Sequence, residues 1–140
     1  MSAPSDDTFV VRMLPEVEPH TERFWTSGAG GSLVVPRCRT CGHHLMPPVP
    51  VCRFCRSTDL EDVHLSGRGE IYTFTINAKP WFPDQPVPSV LAVVELEEGP
   101  DLRLLTTVVG VDPETVAIGM AVRLDFATVD DLAVPFARPA

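Results

Sequence analysis

The sequence predicts a mainly β protein in which a cysteine-rich segment precedes the strands. After residue 66 the chain consists of short β-branched and aromatic runs that are separated by Gly, Pro and Asp. Before that point, the segment RCRTCGHHLMPPVPVCRFC contains all four cysteines of the chain. We therefore expect an N-terminal arm and helix over residues 1–36, a cysteine ribbon over 37–66 and a β domain over 67–140.

The N-terminal part is predicted to be a loose arm followed by one short helix. The arm covers residues 1–14, and its apolar side chains, which can dock as a short extended piece, are Phe9, Val10, Val11, Met13 and Leu14. The helix covers residues 16–27, and the glycine run at 28–31 ends it. Phe24 and Trp25 are neighbours, so they cannot share one narrow helical stripe. Docking of a ring on the protein's own core and docking on a partner both remain open.

Residues 67–140 are predicted to form a small closed barrel. The predicted strands are GRGEIYTFTIN (67–77), SVLAVVELEEG (89–99), LRLLTTVVG (102–110), AVRLDFATV (121–129) and LAVPF (132–136). The residues between the third and fourth strands are predicted to form a turn with at most one helical turn. Four or five short antiparallel strands at this length suit the five-stranded Greek-key OB barrel, which closes its sheet edges.

The four cysteines have the spacing of a tetrahedral metal site made of two knuckles. The first pair is Cys38 and Cys41, the second is Cys52 and Cys55, and each pair encloses two residues. That spacing lets both thiolates of a pair turn toward one ion. Gly42 can take the open backbone geometry that such a knuckle often needs. Four thiolates fill every coordination position, so the spacing predicts a structural zinc; iron in a rubredoxin-like site would use the same ligands.

Four arginines flank these cysteines, and they are Arg37, Arg39, Arg53 and Arg56. A zinc dication held by four thiolates has a formal charge of about −2, which the arginines would offset. Alternatively, some of them bind a phosphorylated ligand, because the guanidinium fork matches phosphate oxygens. His43 and His44 are predicted to be surface or supporting residues, since four cysteines already complete the ligand set.

The loop NAKPWFPDQPVPS at residues 77–89 joins the first two predicted barrel strands. Four prolines stiffen it around Trp81 and Phe82, so the two rings cannot readily fold into a compact core. Aromatic rings in a pre-ordered loop contact partners at low entropic cost. The alternative is that Trp81 covers the mouth of the barrel.

The net charge and the absence of known motifs argue against several classes of function. The net charge of −8 argues against a nucleic-acid binder, although a zinc-ribbon OB-fold nucleic-acid-binding module remains the alternative function. We expect no membrane contact and a cytoplasmic location, because neither a leader pattern nor a long apolar run is present. In that compartment paired cysteines bind metal more often than they form disulfides. No catalytic residue is predicted, since no Ser-His-Asp pattern exists and the metal site uses every thiol.

Four motifs together resemble the acyl-CoA-associated zinc-ribbon/OB-fold family, formerly known only as a domain of unknown function. The motifs are RC-x2-CG with PP and C-x2-C, then SGRGEIYTFT, VLAVVELEEGPDLRLLTTVVG and IGMAVRLDF. The resemblance extends from about Phe24 to Phe136. The sequence departs from the family pattern at LMPP, where an aromatic-Pro-Pro is commoner, and at CRFC, which lacks the usual proline.

The resemblance implies an N-terminal helix, a rubredoxin-like zinc ribbon and a C-terminal OB barrel. It places the metal ligands at Cys38, Cys41, Cys52 and Cys55. Members act beside thiolase-fold enzymes in acyl-CoA, polyketide or steroid metabolism. Similar domains pair with a lipid-transfer-protein-like thiolase homologue to form a retro-aldol lyase of steroid side-chain degradation.

We therefore expect a non-catalytic accessory subunit in a hetero-oligomer that acts on an acyl-CoA. The complex would be a lyase (aldolase) or a thiolase-type acyltransferase. The residues expected to contact the partner are Phe24, Trp25, Trp81 and Phe82. The residues that would contact the phosphates of CoA are Arg37, Arg39, Arg53 and Arg56.

Overall fold

The computed structural model of the chain describes residue 11 and residues 13–140. Its helices and strands are α1 (Glu22–Thr26), a 3-10 helix (Ser27–Gly30), β1 (Val34–Cys38), β2 (Leu60–His64), β3 (Arg68–Asn77), β4 (Ser89–Leu96), β5 (Arg103–Val108), β6 (Ala121–Val129) and β7 (Leu132–Pro139). Of the predicted arm, Phe9 and Val10 lie outside the described residues, and Met13 is 83% exposed. No helix among the described residues is long and apolar enough to cross a membrane.

Helix α1 is shorter than predicted, because it begins at Glu22 and not at residue 16. Pro19 explains the late start: a proline disfavours helical geometry in the residue before it and donates no backbone hydrogen bond. The carbonyl of Glu18 instead closes a turn by accepting the backbone N–H groups of Thr21 and Glu22, both at 2.9 Å. The glycine run continues as the 3-10 helix and ends at Gly31, whose φ is 87°.

The two aromatic rings of α1 differ in burial. Phe24 is only 5% exposed and belongs to the hydrophobic core, while Trp25 is half-buried and packs against that core. Their rings meet edge to face with centroids 4.8 Å apart. Of the two alternatives that the sequence leaves open, the ring of Phe24 therefore docks on the protein's own core, and its contact with a partner stays a prediction.

The cysteine ribbon contains a strand that the sequence did not predict. No strand is predicted over residues 57–66, but β2 lies there and pairs antiparallel with β1. LEDVH has few residues that favour strands, so the pairing is set by the neighbouring strand and not by local propensity. Arg37 lies opposite Glu61 in this register, and their side chains form an ion pair of 3.3 Å.

The five strands β3 to β7 form the predicted closed barrel in the order β3-β4-β5-β7-β6. All neighbours are antiparallel except β5 and β7, which meet in a parallel pair between Val108 and Ala137. Strand β4 ends earlier than predicted because residues 97–101 form a turn, and β7 runs further, to Pro139. Residues 109–120 form turns without a helix.

The segment from α1 to the 3-10 helix packs tightly against the barrel at Gly28. A Cβ atom at Gly28 would overlap the ring of Phe126 on β6. Gly28 is buried, and its missing side chain lets the 3-10 helix approach the barrel closely. Gly30, two residues later, has no atom within 4 Å of a Cβ placed on it.

We predict that Gly28→Ala destabilises the protein by about 1–3 kcal/mol, the usual range for overpacking a well-packed site. The matched control Gly30→Ala should leave stability unchanged or slightly raised, because it adds a methyl group in open space. Thermal unfolding of both variants, followed by circular dichroism, checks this. Equal melting temperatures for the two variants would contradict the close packing at Phe126.

Candidate metal centre and partner surface

The two cysteine pairs are held by two backbone turns of the same design. In the first, the N–H of Gly42 donates to the carbonyl of Cys38, and in the second the N–H of Arg56 donates to Cys52, both at 2.8 Å. Gly42 and Arg56 both have positive φ, at 80° and 66°. Gly42 adopts this geometry readily, whereas Arg56 does so at a steric cost that the turn must offset.

The four sulfur atoms converge on one point. All four lie within 4.8 Å of one another. The Sγ atoms of Cys38 and Cys55 are 3.5 Å apart, as are those of Cys41 and Cys52. A tetrahedral zinc with Zn–S bonds of about 2.3 Å requires sulfur–sulfur separations of about 3.8 Å. The cysteines therefore fit a zinc ion, and all four are free of disulfides.

Four sulfur atoms this close cannot all be negatively charged unless a cation holds them. The pKa of Cys38 is lowered to about 6, chiefly by a hydrogen bond from the backbone N–H of Cys41. The backbone N–H of Ser57 also lowers the pKa of Cys55, but burial and the neighbouring thiols outweigh it and raise that pKa to about 12. A divalent cation removes this conflict, because it stabilises every thiolate at once.

The two histidines that follow the first cysteine pair contact different partners. The Nδ1 atom of His43 lies 3.2 Å from Sγ of Cys41, and its ring stacks on Phe54. The backbone N–H of His44 donates to Asp101 at 2.8 Å, and its Nδ1 atom lies 3.3 Å from the same carboxylate. The four-cysteine ligand set contains neither of them.

The contact between His44 and Asp101 joins the ribbon to the turn between β4 and β5. Both side chains are largely buried. Burial acts to raise the pKa of Asp101, but the backbone N–H and the ring of His44 act more strongly, so that pKa lies below its ordinary value. A charged carboxylate thus fixes the first knuckle on the barrel.

Two of the four arginines are paired with acids of the ribbon. The guanidinium of Arg37 contacts Glu61 at 3.3 Å and donates to the carbonyl of Gly42 at 3.2 Å. Arg39 contacts Asp59 at 2.8 Å and Glu61 at 3.5 Å. These two arginines are therefore neutralised by carboxylates of the β2 region, 20 or more residues away in the sequence.

The other two arginines lie in the second knuckle. Arg53 donates to the carbonyl of Met46 at 3.0 Å, and its guanidinium lies 5.5 Å from the ring centroid of Phe54. Arg56 is exposed, and its side chain makes no hydrogen bond or ion pair within residues 13–140. Of the four, Arg56 has the guanidinium that is most available to a ligand.

The proline-rich loop presents its aromatic tip to solvent. Trp81 is 77% exposed and Phe82 is 47% exposed. The indole N–H of Trp81 donates to Oδ1 of Asn77 at 3.2 Å, and its backbone N–H donates to the side chain of Gln85. Trp81 therefore does not lie buried over the barrel; the loop holds the ring outward in a defined position.

Two family models match consecutive parts of the chain. Residues 25–61 match "ChsH2, rubredoxin-like zinc ribbon domain", and residues 62–127 match "ChsH2, C-terminal OB-fold domain". A DUF35 domain-containing scaffold protein from Methanocaldococcus jannaschii is 36% identical over 71% of this chain and 70% of its own length. The chain belongs to the DUF35 family. The cysteine ribbon of this chain is accordingly a zinc ribbon, and its four cysteines are positioned to bind the metal.

The chain is also similar to part of two larger proteins. A "Probable enoyl-CoA hydratase alpha subunit" of Thermomonospora curvata is 40% identical over 84% of this chain, which spans 37% of that relative. The 3-oxo-4,17-pregnadiene-20-carboxyl-CoA hydratase alpha subunit of Mycobacterium tuberculosis is 36% identical over 93% of the chain, which spans 41% of that subunit. This chain thus covers less than half the length of either relative.

A solved structure described as "Ltp2-ChsH2(DUF35) aldolase" matches with a TM-score of 0.76 and 36% identity. The match covers 90% of this chain and 98% of that one. The chain is thus similar to a chain of an aldolase and to the alpha subunits of two hydratases.

Proposed function

We propose that this chain is the non-catalytic accessory subunit of a thiolase-fold enzyme that acts on an acyl-CoA. Within that class, we propose a retro-aldol carbon–carbon lyase of steroid side-chain degradation in the cytoplasm. The observation that carries the proposal is the near full-length likeness to the DUF35 chain of an aldolase. The partner would supply the acid–base or nucleophilic residues, and this chain would supply binding surface.

The chemistry of the described residues supports a non-catalytic role. Four thiolates complete the coordination of the ion, so no position is left for a substrate or an activated water. No serine or threonine hydroxyl within residues 13–140 is hydrogen-bonded to a histidine. The histidine–carboxylate contact between His44 and Asp101 is used to join the ribbon to the barrel.

The partner surface is proposed at Trp81 and Phe82, with Trp25 as a second contact. Large rings that are held in position before binding lose little conformational entropy when they are buried. Trp81 has this property, since Asn77 and Gln85 hold its side chain and backbone. Trp25 contributes the part of its ring that the core leaves exposed.

Nucleic acid is not proposed as the partner. The net charge is −8, and the arginines that give the ribbon its basic sequence are partly neutralised by Asp59 and Glu61. Affinity for nucleic acid depends on free cations that neutralise phosphates.

We predict that Trp81→Ala weakens binding to the thiolase-fold partner by about tenfold or more, as expected for a central aromatic contact. The matched control is Ile118→Ala, which truncates another exposed apolar side chain outside the loop. The chain is co-expressed with the lipid-transfer-protein-like thiolase homologue of its own genome, and the affinity of the purified proteins is measured by calorimetry. Equal affinity of the two variants would refute the loop as the contact. A partner that is equally soluble and active alone would refute the accessory role itself.

The second knuckle is proposed to contact the phosphates of the CoA ester through Arg56. Arg37, Arg39 and Arg53 remain in the proposal only as weaker contributors, because each guanidinium already has a protein partner. A planar guanidinium without such a partner can bind phosphate oxygens in a bidentate manner.

Arg56→Ala in the assembled complex should raise KM for the CoA ester several-fold and leave kcat unchanged, because a phosphate contact is equally strong in ground and transition states. Steady-state kinetics of the complex measure this effect. Arg123→Ala, at an exposed position on β6, serves as the control and should keep the wild-type KM. If Arg56→Ala also keeps it, the chain does not contact CoA through this residue.

A further inference from the structure

His43 and Phe54 together form a contact that connects the two cysteine knuckles. His43 follows the first pair, and Phe54 lies inside the second pair. Their rings stack with centroids 4.0 Å apart and an interplanar angle of 15°. Each is also linked to a sulfur atom: Nδ1 of His43 to Cys41 at 3.2 Å, and the backbone N–H of Phe54 to Cys52 at 3.4 Å.

The hydrogen-bond chemistry fixes the direction of the contact with Cys41. A metal-bound thiolate has no proton to donate, so it can only accept. The proton must therefore lie on Nδ1 of His43, and the imidazole N–H points at the sulfur. Such a bond withdraws negative charge from the thiolate, and it holds the sulfur in its coordinating position.

Cys41 is one of the two exposed cysteines of the cluster, and Cys55 is the other; Cys38 and Cys52 are buried residues. Exposed thiolates are where a chelator or an electrophile first attacks a zinc site. Within residues 13–140, Cys41 has an imidazole N–H on its sulfur, and Cys55 has no histidine contact. The two exposed thiolates are thus chemically unequal.

The stack also borders open space. His43 and Phe54 line a surface cavity of about 690 Å³ between the ribbon and the turn that contains Pro100. A reagent that enters this cavity from solvent therefore meets the rings of His43 and Phe54.

We propose that His43 is a positioning residue of the zinc centre, which acts through Cys41 and is held in place by its stack on Phe54. The pair slows the release of zinc and makes the Cys41 thiolate less reactive than that of Cys55. Two separate interactions produce this effect: the N–H to sulfur bond protects one ligand, and the stack keeps the two knuckles from separating.

The zinc-loaded full-length chain tests the first effect through its rate of zinc transfer to an excess of a chromophoric chelator. His43→Phe keeps a ring that can stack but loses the N–H donor, and it should release zinc about tenfold faster, in line with the loss of other supporting contacts at metal sites. Phe54→Leu loses the stack and should accelerate release by a smaller factor. His20→Ala, at an exposed histidine in a turn before α1, should release zinc at the wild-type rate.

Alkylation by iodoacetamide, followed by peptide mass spectrometry, tests the second effect at each cysteine. In the wild type, Cys55 should be modified before Cys41, and in His43→Phe this difference should disappear. His43→Asn retains an amide N–H and should recover part of the wild-type release rate, and it stands in if His43→Phe fails to fold. The proposal is overturned if His43→Phe releases zinc at the wild-type rate and Cys55 is still alkylated before Cys41 in that variant.

Discussion

The convergence of four sulfur atoms within 4.8 Å is the constraint on which the ribbon depends. Thiolates at this separation repel one another, and one divalent cation converts that repulsion into a common attachment point. The ion then closes a chain segment that has only a small core of its own, made of Cys38, Leu45 and Cys52 with flanking side chains. In other small zinc domains metal binding and folding are one process, and we expect the same of this ribbon.

The ribbon is held on the barrel by apolar packing and by two polar contacts. Met46 and Leu65 of the ribbon belong to the same hydrophobic core as the barrel strands. Asp101 accepts from the backbone of His44, and Glu98 accepts from the backbone of Ser66. Because the turn between β4 and β5 contacts the first knuckle, the ribbon is docked on the barrel independently of the exposed aromatic loop. Trp81, which is 77% exposed, takes no part in this docking, and that supports its proposed role as binding surface.

The sequence predicted those features that depend on local pattern. Cysteine spacing gave the metal ligands, and the β-branched runs gave all five barrel strands. It did not predict features that distant residues decide: β2 forms because β1 lies beside it. Nor did it decide which of the two rings of α1 packs into the core, which in the structure is Phe24. Likewise, the contact between His44 and Asp101 spans 57 residues, and no local signal indicates it.

Hydrogen–deuterium exchange of the full chain, with zinc bound and after chelation, tests the dependence of the ribbon on its metal most directly. Chelation should abolish the protection of the backbone amides in β1 and β2. The amides of β4, which pairs with both β3 and β5, should remain protected. Ribbon amides that stay protected without zinc would contradict the dependence. Loss of protection in β4 to the same extent would show that the barrel does not fold independently of the metal.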